Sequence, residues 1–103
     1  MTLLRDIAYV RSGDKGDVVS VGVIAKHPED YSALLRSLTA PAVKDLFGDW
    51  ITGAVEIYPM DNIDAVVVIM RGALGGGATR TLRLDQTGKA MGNDLLRLPV
   101  IKE

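Results

Sequence analysis

Two hydrophobic periods run through this chain, and the switches between them mark out its elements. Residues 65–70 read Ala, Val, Val, Val, Ile, Met without a polar interruption. A β-branched run bounded by Asp64 and a glycine cluster predicts a central strand buried on both faces, because alternation vanishes where neither side meets water. Ile51, Gly53, Val55 and Ile57 alternate with Thr52, Ala54, Glu56 and Tyr58, which predicts a half-polar strand over 51–58 nearer a sheet edge. Pro59 to Asn62 then turns the chain back, making this strand the antiparallel neighbour of the central one. Residues 18–25 carry Val19, Val21, Val23 and Ala25 on one side and Val18, Ser20, Gly22 and Ile24 on the other, a further strand with both sides fit for burial. Residues 4–11 alternate loosely and are compatible with a strand. The turn formers of 12–17, Ser-Gly-Asp-Lys-Gly-Asp, predict a polar loop leaving the sheet.

The other period is helical. Pro28, Glu29 and Asp30 supply a first turn, since proline suits that position and carboxylates favour its unpaired N–H groups. Tyr31, Leu34, Leu35 and Leu38 follow at helical spacing. Thr39 is positioned as a cap for a second helix with Pro41 in its first turn, Val43, Leu46 and Phe47 as its stripe and Gly48 at its end. Asp85 is a candidate cap for a last helix carrying Met91, Leu95 and Leu98, with Gly88 and Gly92 beside them and Pro99 as the stop. Each of those glycines costs about 1 kcal/mol of helix propensity, which predicts tight packing there. Residues 79–84 suit a short extended piece and 100–103 a stub strand. These elements predict an α+β fold, a ferredoxin-like two-layer sandwich whose mainly antiparallel sheet carries its helices on one face. Helices in so small a domain cover only one sheet face, yet apolar residues lie on both. The uncovered face is therefore expected to be buried in a homo-oligomer or against a larger partner.

Composition narrows the function without naming it. The 103 residues suit one domain, 1–103. Twelve basic residues oppose thirteen acidic ones and only five residues are aromatic, so neither a field nor stacking rings for nucleic acid are present. No apolar run reaches bilayer length, and cysteine is absent, which removes thiol chemistry and fits a reducing compartment. A cytoplasmic protein without membrane or nucleic-acid partners is expected.

Three groups of residues are candidates for chemistry. Asp14, Lys15 and Asp17 place two carboxylates and an amine in one short segment, where a carboxylate can act as general base or magnesium ligand and the amine can steady an anion; a solvated turn with balanced charges uses the same residues. The glycines at 72, 75, 76 and 77 can present successive N–H groups to a phosphate, carboxylate or thioester oxygen, or allow two chains to cross closely. Gly72, Gly75, Gly76 and Gly77 lack the P-loop lysine and the spacing of the dinucleotide fingerprint. Arg11, Arg71, Arg80 and Arg83 flank these segments and can meet the phosphates of a CoA ester or acidic partner residues. His27 has no second ligand at metal-binding spacing, so no metal site is expected, and no motif calls for a cofactor. The serines lack a nucleophile elbow and a histidine partner.

The string R-S-G-D-K-G-D from Arg11, V-G-V-I-A from Val21, A-L-G-G-G from Ala73 and L-R-L-D-Q-T-G-K from Leu82 together resemble the AtuA-like family, specifically the ferredoxin-fold domain of acyclic terpene utilisation AtuA-like proteins, over nearly the whole chain. Relatives more often carry an asparagine just ahead of the I/V-G-V segment; Ser20 stands there in this chain. The resemblance implies an accessory or small subunit that works with a larger AtuA-type subunit in acyl-CoA, branched-chain or terpenoid catabolism. It supplies no catalytic residue. Two other readings of the residues stay open: a CoA-ester or anion-binding module, or small enzyme, with its site between the Asp14 and Gly75 segments, and a ligand-free oligomeric scaffold.

Overall fold

Four strands form one sheet, and the residues that zip it together are the valines. In the computed structural model, which describes residues 2–15, 18–72 and 91–101, the sheet contains β1 (Ala8–Lys15), β2 (Val18–Ala25), β3 (Val55–Met60) and β4 (Ala65–Arg71). Their order is β1-β2-β4-β3, and every neighbouring pair is antiparallel. Among the helices are α1 (Leu4–Ile7), α2 (Tyr31–Ser37) and α3 (Ala40–Phe47), and residues 91–95 are helical too. The succession β2, helices, β3, β4, helix is the β-α-β-β-α portion of the ferredoxin-like motif. Strand β1 lies beside β2, where the closing strand of that motif belongs.

One face of the sheet carries the core. Val19 pairs with Met70, Val21 with Val68 and Val23 with Val66, and all six are fully buried. Leu34 of α2, Leu38, and Val43 and Phe47 of α3 cover them, with Met91, Leu95 and Leu98 from the last helical segment. Thr39 begins α3 as expected, its hydroxyl accepting from the Ala42 N–H at 3.3 Å. Gly92 sits against β1: a Cβ there would lie 3.1 Å from the Ser12 Cβ and 3.2 Å from its Oγ, which explains a glycine in a helix. The 91–101 segment is tied back along its last three residues. Leu3 and Pro99 form a bridge, the Val100 N–H donates to the Thr2 carbonyl at 2.9 Å, and the Ile101 N–H donates to the buried Ser37 hydroxyl at 2.8 Å.

Several expectations need correction. Residues 4–11 are not one strand: Leu4–Ile7 make a helical turn, whose Leu3 N–H donates to the Asp6 carboxylate at 2.8 Å, and the strand starts at Ala8. The expected loop at 12–17 is strand as far as Lys15, because Ser12 to Lys15 pair with Val21 to Val18 and ladder hydrogen bonds outweigh the turn preference of glycine and aspartate. The third strand begins at Val55 rather than Ile51 and continues through Pro59 and Met60, as an edge position permits for proline. Leu35, placed on the helical stripe, is exposed. Residues 100 and 101 form no strand. The central strand is not buried on both faces: Val67 and Ile69 are half-buried, while Val66, Val68 and Met70 are enclosed. The same holds for β2, where Val18, Ser20, Gly22 and Ile24 are half-buried. The extended piece at 79–84, the cap at Asp85, Gly88 and the end of the tail lie outside the described residues.

Candidate functional site

The second face of the sheet is a grid whose rows the register defines. Tyr9, Ile24, Ala65 and Met60 make one row; Arg11, Gly22, Val67 and Tyr58 the next; Gly13, Ser20, Ile69 and Glu56 the third; Val18 and Arg71 lie at its end. The middle two columns are apolar or small through the third row and end in Val18 and Arg71. The outer columns carry aromatic and charged groups, with Tyr9 61% exposed, Tyr58 48% and Met60 40%. An apolar centre framed by tyrosine, arginine and methionine has the composition of a protein-docking surface. Lys26 adds a cation 5.1 Å above the Tyr9 ring.

The most organised polar group on this face is one the sequence reading missed. Arg71 donates through Nε to Glu56 Oε2 at 2.6 Å and through Nη2 to Oε1 at 3.4 Å. The Tyr58 hydroxyl donates to Oε1 of the same carboxylate. The Arg71 hydrogen bond, reinforced by that of Tyr58, holds the Glu56 carboxyl below its ordinary pKa, and the carboxylate in turn raises the Tyr58 phenol. Glu56 and Tyr58 are two apart on one strand face, and Arg71 ends the neighbouring strand; the signal was readable once the β3–β4 register is known. A second such pair lies at the far end of the sheet, where Tyr31 donates to Asp61 at 2.5 Å and its phenol is pushed up to about 12 by that hydrogen bond.

The other sequence candidates are dispersed. Asp14 and Lys15 sit at the end of β1 opposite Val19 and Val18, so they are ladder residues and not part of a loop outside the sheet. Asp17, Gly75, Gly76, Gly77 and Arg80 lie outside the described residues. Gly72 is at a close chain crossing: its φ is 66°, its carbonyl accepts from the Thr52 N–H and Oγ1, each at 3.2 Å, and a Cβ on it would fall 2.3 Å from Thr52 Oγ1 and 3.0 Å from the Gly53 nitrogen. Gly53 answers it, since a Cβ there would lie 2.7 Å from the Arg71 carbonyl oxygen. Gly72 therefore serves backbone approach. Its carbonyl faces the crossing. Arg71 is engaged with Glu56. Among the described residues there is no cluster of three metal-ligating side chains, and every buried side-chain nitrogen or oxygen has a hydrogen-bond partner. Among them, too, no helix is long and apolar enough to cross a membrane.

A family model, the AtuA ferredoxin-like domain, matches residues 2–101. The chain belongs to that family. The match takes in all four strands and all the described helices, so the ferredoxin-like α+β assignment rests on both the model of the family and the sheet itself. No curated protein and no solved structure matches the chain.

Proposed function

We propose that this AtuA ferredoxin-like domain acts as a cytoplasmic, non-catalytic accessory subunit whose open sheet face binds protein, within an AtuA-type assembly of acyl-CoA, branched-chain or terpenoid catabolism. The observation that carries the reading is the alternation of burial along β2 and β4. From Val18 to Ile24 and from Val66 to Met70, successive residues alternate between full enclosure and partial exposure, and the part-exposed set is Val18, Ser20, Gly22, Ile24, Val67 and Ile69, in which Ser20 is the single polar side chain. A two-layer fold that ends in water ordinarily shows polar side chains there.

The test is co-expression with the larger AtuA-type polypeptide of the same genome. The expected result is stable co-purification of the unaltered chain and its loss with Val67→Arg, while circular dichroism shows the variant folded. Saturable binding of acyl-CoA by the isolated chain, with no capture of the larger polypeptide, would overturn the proposal in favour of a ligand-binding module.

A further inference from the structure

The open face is complementary to itself, and we infer that its occupant is a second copy of this chain, related by a two-fold axis running parallel to the strands between β2 and β4. This deepens the reading of that face as a docking surface and rests on it. Among two-fold axes lying in the interface plane, those parallel and perpendicular to the strands keep the strands of the two copies aligned. An axis parallel to the strands lays β2 of one copy over β4 of the other and β1 over β3, keeping each row in place. Gly22 then faces Val67 of the second copy, and Ser20 faces Ile69, so in these two rows each large side chain stands over a small one, while Val18 faces Arg71 at the end of the grid. At the margin Arg11 faces Tyr58 of the second copy, next to the carboxylate of Glu56, which supplies a cation–π contact and opposite charge.

An axis perpendicular to the strands does the reverse. Each strand then lies over its own copy with the rows inverted, which sets Val67 against Ile69, leaves Ser20 over Gly22 with a void, and brings the two Arg11 side chains to adjacent rows. Close packing rejects that arrangement on volume, and like charge rejects it at the edge. Of the two aligned arrangements centred on this grid, side-chain volume and charge favour the first. Sheets packed face to face stand about 10 Å apart with strands within about 30° of each other. Small residues under the large ones in the two central columns allow that approach.

Four strands by four rows cover about 19 Å by 27 Å, roughly 500 Å² on each copy. That is the low end of specific interfaces, so the dimer is expected to dissociate in the micromolar range. The experiment uses the full chain in analytical ultracentrifugation from about 1 to about 200 μM, together with two variants. Gly22→Leu enlarges the hollow residue, whose Cβ has only an ordinary 3.7 Å neighbour within the chain, and Val67→Ala shrinks the knob. Each alone should weaken self-association about tenfold or more.

Mixed one to one, the two variants should form a heterodimer of near wild-type affinity, because one contact becomes Leu over Ala and the other remains Gly over Val. Recovery on mixing cannot arise from cross-strand packing inside one chain. Val67→Arg, which keeps a half-exposed position and does not depend on the Gly22 variant folding, should raise the dissociation constant at least about 30-fold. A chain that stays monomeric throughout the range, or variants that lose nothing singly or recover nothing when mixed, would overturn the inference. If the monomeric chain still captures the larger polypeptide through Val67, the docking reading survives alone; if it captures nothing, both fall.

Discussion

The two faces of the sheet are built from the same strands, and both have β-branched residues near their centre, yet they are buried to different extents. On the covered face Val19, Val21, Val23, Val66, Val68 and Met70 have no exposure and meet helices of their own chain. On the other, Val18, Ile24, Val67 and Ile69 are half-buried. The first set is committed to folding, and the second is the set proposed above to meet another polypeptide. Side-chain chemistry does not separate them; a one-residue offset along the strand does.

Substitution separates them most sharply. Met70→Ala should cost about 2–5 kcal/mol of monomer stability through transfer and cavity terms, measured by urea unfolding, whereas Val67→Ala, three positions away in the same strand, should cost below about 1 kcal/mol to the monomer and act on association instead. Equal losses would erase the distinction between the faces. Glycines sharpen it next. Gly72→Ala places a methyl 2.3 Å from Thr52 Oγ1 at a φ of 66° and should cost about 1–3 kcal/mol, whereas Gly22→Ala meets nothing closer than 3.7 Å and should leave thermal unfolding almost unchanged. Thr39→Ala removes the α3 cap that holds Val43 and Phe47 over the covered face and should cost about 1 kcal/mol.

The smallest effects are those of titration. Glu56 has its pKa lowered by Arg71, so its contribution is present above the unfolded value and is lost as pH falls through the folded one; Glu56→Gln should flatten that acid limb of the stability profile. Tyr31, raised to about 12 by Asp61, contributes below the unfolded phenol pKa and loses that contribution as pH rises through about 12, so Tyr31→Phe should remove the latest phenolate transition in an ultraviolet titration. Both groups are partly exposed, and salt should reduce both effects.

Much of this architecture was legible in the sequence. Alternation located β2 and β3, the apolar run located β4, and Thr39 with Pro41 located the start of α3, because each is a local pattern with a local cause. What was misread depended on pairing. Ser12 to Lys15 look like a turn until Val18 to Val21 lie alongside them. The run at 65–70 shows that both faces are apolar but cannot say which one a helix will cover, since periodicity carries no information about the third dimension. The Glu56–Tyr58–Arg71 group was invisible for the same reason: it needs the β3–β4 register. The glycine segment divided. Gly72 is explained by the crossing at Thr52 and Gly53, while Gly75, Gly76, Gly77 and Arg80 lie outside the described residues.

The tie between residues 2–3 and 99–100 brings the front of β1's lead-in against the back of the last helical segment. Joining those neighbours and opening the chain at the tip of the β1–β2 hairpin would move β1 from first to last, producing a circular permutant that reads β-α-β-β-α-β from end to end. Such a rearranged chain should reach the same sheet, since no strand would change its neighbours and only the order in which the ribosome delivers them would differ.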